Sequence, residues 1–212
     1  VTAERIALDQ VKVQGEIGRR IDTTITNNLL LLDYDKDLRI AIEPKPNEPM
    51  DLAYIPTIGH ALALGFNADF PERVGCLVES AHAILAGFDP SDEMAFALAF
   101  NKLWSVHLND QNNLKFDQDR SFGSVDLRRA FNQVRVLDEN KFFEKGTVGL
   151  DVKAIRTQPA ELATKHLSNS LKTFLALVRI VRSLDRGILE ELISNRDYEE
   201  LDWEIMKKFL SE

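Results

Sequence analysis

Residues 74–82 read Val-Gly-Cys-Leu-Val-Glu-Ser-Ala-His, a short apolar run that ends in a glutamate, with a histidine three residues further on. Similar apolar runs occupy residues 38–42, 103–108 and 147–150. Runs that are this short and apolar on both faces are typical of strands in a parallel sheet covered by helices. Longer helical segments separate the runs, so strand and helix alternate four times. This alternation predicts an α/β fold with right-handed crossovers.

The helical segments are recognised by their apolar periodicity. Four of them lie at residues 55–66, 94–100, 127–137 and 171–184. A further helix is predicted in the first 30 residues, although Gly15 and Gly18 weaken that prediction. The tail from Asp185 onward is charged and helical and contains no predicted strand. We therefore divide the chain into a main domain at 1–185 and a helical tail at 186–212.

Composition and charge exclude some classes of protein. The chain has 212 residues and a formal net charge of -8, and it has no basic stripe, so neither a nucleic-acid nor a membrane partner is expected. The single cysteine, Cys76, excludes an intrachain disulfide and fits a reducing compartment. No apolar run approaches the roughly 20 residues that span a bilayer, and the first residues do not resemble a signal sequence. These observations predict a cytoplasmic enzyme.

Each apolar run ends in a side chain that can bind a metal. The four run ends supply Glu43, Glu79 with His82, His107 and Asp151, in that order. The carboxyl ends of parallel strands all lie on one side of a sheet, so these side chains should converge on one rim. The rim at the carboxyl ends is where enzymes built on parallel strands place their chemistry.

The loop after the third run adds Asp117 and Asp119, whose spacing in an extended segment would put both carboxylates on the same side. Five converging carboxylates repel one another by several kcal/mol in total, even at an effective dielectric of about 20. Lys45, together with Lys115 or Lys153, offsets only part of this charge. Two divalent cations would neutralise the cluster, with one carboxylate bridging them and the histidines as co-ligands. Oxygen-rich donors favour magnesium, manganese or cobalt over zinc.

Each of these residues also has an ordinary structural interpretation. A lone acid at a strand end is usually a helix cap or a solvated loop residue, and Glu79 with His82 has a spacing that is common on helix surfaces. Lys153 could simply pair with a nearby acid. His60 and His166 lie in predicted helices and are interpreted as surface or packing histidines. The metal interpretation depends on the joint pattern of four successive run ends.

Four segments carry a resemblance to a known family. They read Glu-Pro-Lys-Pro-Asn-Glu-Pro at 43–49, Glu-Ser-Ala-His at 79–82, His-Leu-Asn-Asp-Gln at 107–111 and Leu-Lys-Phe-Asp-Gln-Asp at 114–119. Together with Asp151, they resemble the metal-binding motifs of the xylose isomerase family, over roughly residues 38–160. The resemblance implies a TIM (β/α)8 barrel, of which this chain is similar to the C-terminal half, strands 5–8 with their helices. The helical tail would wrap the barrel or a neighbouring subunit.

The resemblance also implies roles for the site residues. One divalent cation would be held by Glu43, Glu79, His107 and Asp151. The other would be held by Glu79, His82, Asp117 and Asp119. Lys45 would hydrogen-bond the sugar's O1, and Asp119 would assist removal of the proton from O2. The implied activity is an aldose–ketose isomerisation by a metal-assisted hydride shift, which makes the protein an intramolecular oxidoreductase.

Two features depart from the family pattern. Xylose isomerases usually have an aspartate at the position of His107, whereas rhamnose isomerases and ketose 3-epimerases have a histidine, so His107 is expected to influence the choice of sugar. The family's first four strands should precede residue 38, where only a helix is predicted. We therefore expect a homo-oligomer or completion by an N-terminal barrel half. A ketose 3-epimerase and a non-catalytic metal-binding partial barrel are the alternatives, while a DNA-repair endonuclease conflicts with the charge.

Overall fold

The computed structural model describes residues 32, 34–49, 52–112 and 114–210, so the helix predicted in the first 30 residues lies outside the described part. Four strands form one sheet. They are β1 Ile40–Ile42, β2 Val74–Glu79, β3 Leu103–Leu108 and β4 Thr147–Leu150. They pair in chain order and every pair is parallel. The four predicted runs and the α/β class are confirmed.

Helices connect and follow the strands. They are α1 Ile58–Phe66, α2 Ser80–Leu85, α3 Pro90–Ala99, α4 Leu127–Glu139, α5 Lys165–Arg182, α6 Arg186–Asn195 and α7 Tyr198–Leu210. The side chains of Asp89, Asp126 and Asp185 accept hydrogen bonds from backbone N–H groups in the first turns of α3, α4 and α6, which fixes where these helices begin. Short α2 was not predicted, because its six residues are too few to show a helical period.

The hydrophobic core lies between the sheet and the helices. Strand residues such as Val78 and Val106 are buried against helix residues such as Phe131. On the opposite face of the sheet, Ala41 is exposed and Ser105 is half-buried. The predicted barrel half places its helices on one face of the sheet, and the inner face of a barrel is lined by strand side chains rather than by helices. The exposure of Ala41 and the partial burial of Ser105 agree with that arrangement.

The helical tail packs on the outside of the helical layer. Ile205 of α7 is buried in the core, and the rings of Phe131 and Phe209 meet edge to face with centroids 5.3 Å apart. Arg128 of α4 forms an ion pair with Asp202 at 2.8 Å. The tail is helical, as predicted, while its division from the main domain at residue 185 stays a prediction. None of the described helices is long and apolar enough to cross a membrane.

The described sheet is open, with β1 at one edge and β4 at the other. A closed (β/α)8 barrel has eight parallel strands, each followed by a helix. Four strands in sequential order, with helices on one face, are half of that arrangement. The architecture is therefore an α/β partial barrel.

Candidate metal centre

The carboxyl ends of the four strands bring the predicted donors together. Glu79 ends β2 and lies in register beside His107 of β3. Glu43 and Asp151 directly follow β1 and β4. The convergence expected from parallel strands is therefore present, although the assignment of these residues as metal ligands stays a prediction.

One part of the centre, which we name the open half, consists of Glu43, His107 and Asp151. His107 Nδ1 lies 3.4 Å from Glu43 Oε1 and 3.7 Å from Asp151 Oδ2. The side chains of Glu43, His107 and Asp151 are 34%, 32% and 49% exposed. His107 Nδ1 is also 3.8 Å from Glu79 Oε2. Donor atoms of Glu79, His107 and Asp151 all lie within 4.8 Å of one another, close enough to share one cation.

The other part, which we name the enclosed half, consists of His82, Asp117 and Asp119. His82 Nε2 lies 3.4 Å from Asp117 Oδ2 and 3.4 Å from Glu79 Oε1. Donor atoms of Glu79, Asp117 and Asp119 lie within 4.8 Å of one another, as do those of Glu43, Glu79 and His82. The Glu79 carboxylate thus lies between the halves, with Oε1 facing His82 and Oε2 facing His107.

Helix α2 positions His82. The helix begins immediately after Glu79, and all six of its residues are buried. Residues three positions apart share one face of a helix, so the His82 ring comes to lie above the carboxylate at the end of β2. Helix α2, which was not predicted, therefore brings the side chains of Glu79 and His82 together.

The loop between β3 and α4, which we name the aspartate loop, positions Asp117 and Asp119. Its ends are joined by the backbone hydrogen bonds between Asp110 and Arg120, at 2.9 and 3.0 Å. Asp119 has a φ of 45°, in the left-handed region that non-glycine residues seldom adopt. The two carboxylates do face the same cluster, but the extended segment assumed from their spacing was wrong. The left-handed turn at Asp119 directs its side chain inward.

Two lysines neutralise part of the enclosed half. Lys45 Nζ lies 2.5 Å from Asp117 Oδ2 and 3.9 Å from Glu48 Oε2. Lys153 forms an ion pair with Asp119, and its backbone N–H donates to the Asp119 carbonyl at 2.8 Å. The simple structural interpretation of Lys153, pairing with a nearby acid, is confirmed.

Burial and mutual repulsion shift the acids. Burial, with a hydrogen bond to Glu43, raises the pKa of Glu79 to about 10. Burial also raises the pKa of Asp119. At Asp117 burial acts in the same direction, but hydrogen bonds with His82 and Lys45 outweigh it and hold the pKa below its usual range. Without a cation the centre therefore keeps a proton on Glu79 at neutral pH.

The donor set fits divalent cations. Among the described residues, His82 Nδ1, His107 Nδ1 and Asp117 Oδ1 are buried atoms without a hydrogen-bond partner. Buried polar atoms in native proteins are nearly always paired, so three in one cluster indicate a missing ligand. Carboxylates with one histidine in each half match the oxygen-rich sites of magnesium and manganese.

Sequence reasoning assigned no role to one residue of the centre. Asn109 is 1% exposed and donates to both Glu79 and Asp119 at 2.9 Å. It lies two residues after His107 and directly before Asp110, at the carboxyl end of β3, and this position is the signal that could have identified it. His60 and His166 lie outside the cluster, as predicted, and His60 Nδ1 is bonded to Thr57 Oγ1.

The fold and the cluster define a class of protein, a parallel-stranded partial TIM barrel with a candidate metal centre at its carboxyl-end rim. No protein-family model matches the chain. It is 39% identical to the xylose isomerase of Thermus thermophilus over 145 residues, which are 68% of this chain and 37% of that protein. It is 38% identical to the xylose isomerase of Streptomyces lividans over 141 residues, 66% of this chain and 35% of that protein.

These relatives confirm the resemblance to xylose isomerases over about two thirds of the chain. The chain spans just over a third of their length, 35% to 37%. A crystal structure of a D-tagatose 3-epimerase-like protein matches with a TM-score of 0.59 at 19% identity, over 79% of this chain and 58% of that one. At this identity the match concerns the fold alone, and it confirms the barrel type.

Proposed function

We propose that the chain supplies the metal centre of an aldose–ketose isomerase of the xylose isomerase type. The observation that carries the proposal is the cluster itself, in which seven predicted donors from four strand ends, α2 and one loop meet, and three of their buried atoms have no hydrogen-bond partner. The xylose isomerase relatives support the same reaction class. The expected cytoplasmic location and the choice of sugar belong to the proposal.

Two divalent cations fit the two halves of the centre. One would be held by Glu43, Glu79, His107 and Asp151. The other would be held by Glu79, His82, Asp117 and Asp119. When bound, such ions polarise sugar oxygens and lower the pKa of a coordinated water. Manganese, magnesium and cobalt are the candidates, because most donors are oxygens.

The chain's own side chains then act on the sugar. In this reaction the hydrogen on C2 moves to C1 with its electron pair, a proton leaves O2 and O1 gains a proton. Lys45, whose side chain is 33% exposed, would donate to O1 and stabilise the negative charge that develops there. The Asp119 carboxylate, held by Lys153 and Asn109, would assist removal of the proton from O2. His107 lies on the open half, where it would contact the substrate.

The open sheet requires partner strands. β1 and β4 each have one edge without a strand partner among the described residues, and unpaired edges invite pairing with other strands. Either the remaining strands of a longer protein or a second copy of the chain would complete the barrel. We expect the 212-residue chain alone to self-associate in sedimentation. A monodisperse, cooperatively folded monomer would contradict this expectation.

The test of the function is turnover of xylose, glucose, rhamnose, ribose and mannose by the full-length protein, with manganese, cobalt or magnesium. We expect at least one aldose to be isomerised, with activity lost in a chelator and restored by added metal. Metal content is measured on the same samples. If two ions bind and no aldose is converted, the isomerase proposal fails while the metal centre stands.

A ketose 3-epimerase is the second candidate, and His107 is the observation in its favour. Its imidazole occupies a position in which xylose isomerases usually have a carboxylate. Conversion of ketoses, with no aldose–ketose exchange, in the same assay would select this alternative. The enclosed half, with its separate set of donors, favours the isomerase, because one metal suffices for epimerisation.

A further inference from the structure

The amide of Asn109 links four parts of the centre. Its Nδ2 lies 2.9 Å from Glu79 Oε1, 2.9 Å from Asp119 Oδ1 and 2.9 Å from the carbonyl oxygen of Asp151. Its Oδ1 accepts a hydrogen bond from the backbone N–H of Ala81 at 2.7 Å. One side chain therefore joins the end of β2, the first turn of α2, the aspartate loop and the end of β4.

The orientation of this amide is fixed by chemistry. The Ala81 N–H can only donate, so the oxygen of Asn109 must face α2 and the NH2 group must face the carboxylates. An aspartate in this place could not donate and would add another negative charge. A leucine of similar size would leave the Ala81 N–H without a partner. An amide of this length satisfies both sides.

The hydrogen bond from Asn109 orients the Glu79 carboxylate. Asn109 holds Oε1, the oxygen that lies 3.4 Å from His82 Nε2 in the enclosed half. This leaves Oε2 directed at His107 in the open half, 3.8 Å from its Nδ1. Glu79 would serve two cations by presenting one oxygen to each half, and Asn109 would hold the carboxylate in the plane that allows this.

We infer that Asn109 is a positioning residue that couples the two halves of the metal centre. The inference rests on the proposed two-metal centre and adds a residue to it that is not a ligand. Asn109 also contacts Asp119 of the enclosed half and the backbone of Asp151 of the open half. When an ion orders the donors of one half, Asn109 therefore restrains the donors of the other half as well. Binding of the first ion should raise the affinity for the second.

The test is a titration of the metal-free full-length protein with Mn2+, followed by calorimetry and by electron paramagnetic resonance. The wild type should bind two ions and show the signal of two coupled manganese ions. In Asn109→Leu we expect affinity to fall about 10- to 100-fold, as is typical when an outer partner of a metal ligand is removed. The coupled signal should be lost at metal concentrations that give it in the wild type.

Gln133→Leu is the matched control. Gln133 is also a buried amide, 2% exposed, which accepts from Ser80 Oγ at 2.6 Å and donates to the Arg129 carbonyl, and neither of these is a predicted ligand. Its replacement should lower stability while leaving affinity for both ions and the coupled signal unchanged. A general loss of packing would affect both variants equally.

The outcomes separate the two proposals. If the wild type binds no more than one ion, the proposed metal centre itself is wrong. If the wild type binds two ions and Asn109→Leu does so with the same affinity and coupling, the role of Asn109 is wrong and the centre stands. Should Asn109→Leu fail to fold, Asn109→Ala, which removes the amide without adding bulk, is measured in its place. Unchanged coupling in that variant would overturn the inference equally.

Discussion

The two halves of the candidate metal centre differ in how the chain encloses them. In the enclosed half the side chains of Asp117 and Asp119 are 4% and 3% exposed, whereas Asp151 of the open half is 49% exposed. The donors of the enclosed half lie on α2 and on the aspartate loop, whereas those of the open half lie at strand ends. A short helix and a loop therefore supply the buried donors, and the strand ends supply the more exposed ones.

The two halves also differ in whether a lysine neutralises their carboxylates. The enclosed half has a lysine on each aspartate, Lys45 on Asp117 and Lys153 on Asp119. In the described part of the chain, no lysine or arginine forms an ion pair with Glu43 or Asp151. An enclosed carboxylate needs a compensating charge when no metal is bound, since desolvated charge is costly, while an exposed one is stabilised by water.

The largest expected effect belongs to Glu79, because it lies between the halves. Glu79→Gln resembles the protonated glutamate that the metal-free centre already keeps, so the variant should fold. It loses the negative charge that both cations would share. We expect affinity for both ions to fall by more than the roughly 100-fold that marks the upper range for outer partners of a metal ligand.

Calorimetric titration with Mn2+ measures this effect. Glu144→Gln is the control, because Glu144 is an exposed glutamate that belongs to no donor group. If Glu79→Gln retains one half at full affinity, the two halves do not share this carboxylate and the comparison between them must be redrawn.

Lys45→Met is expected to act on turnover and not on metal binding. The lysine pairs with a predicted ligand, so its loss removes a competitor for cations rather than a donor. Loss of a group that stabilises charge in the transition state typically lowers the rate by about 10²- to 10³-fold. Steady-state rates and metal content of the same samples measure both, with the exposed Lys115→Met as control. A wild-type rate would reassign Lys45 to a structural ion pair.

Stability of the metal-free protein should fall as the pH rises. The pKa of Glu79 is raised from 4.5 to about 10, so between these pH values the folded protein holds a proton that the unfolded chain releases. When the unfolded state binds fewer protons, the free energy of unfolding decreases with increasing pH. Burial raises the pKa of Asp119 and adds to the same trend.

Urea denaturation between about pH 5 and pH 9, in chelator and in excess manganese, measures this trend. Bound metal keeps Glu79 ionised and should abolish the decline, and Glu79→Gln should reduce it in the metal-free protein. A free energy of unfolding that is constant or increases with pH in chelator would contradict the buried, protonated Glu79.

The smallest effect is expected at His107, which changes the open half alone. A carboxylate in place of the imidazole restores a negative charge and removes a nitrogen donor. In His107→Asp, magnesium-supported activity should therefore rise relative to manganese-supported activity, and the rates on xylose and rhamnose should change relative to each other. His60→Asp, at a surface histidine, is the control. Unchanged metal preference and sugar ranking would show that His107 is not a ligand.

The parts predicted well from the sequence are those with a local signal. Each strand appears as a short apolar run, and each run end carries a polar side chain that the parallel arrangement brings to the rim. Helix α2 and the left-handed turn at Asp119 were missed, because six helical residues and a single backbone angle are too short to produce a recognisable pattern in the sequence.

The sequence by itself determined the α/β class, the positions of the strands and which side chains gather at their ends, because these follow from the apolar period and the geometry of parallel strands. Only the tertiary structure decided which of these side chains are enclosed, which lysine neutralises which aspartate and which groups Asn109 contacts. Lys45 reaches Asp117 across 72 residues, and Asn109 reaches the Asp151 carbonyl across 42. Contacts at such separations depend on how loops pack, and no local pattern of residues encodes them.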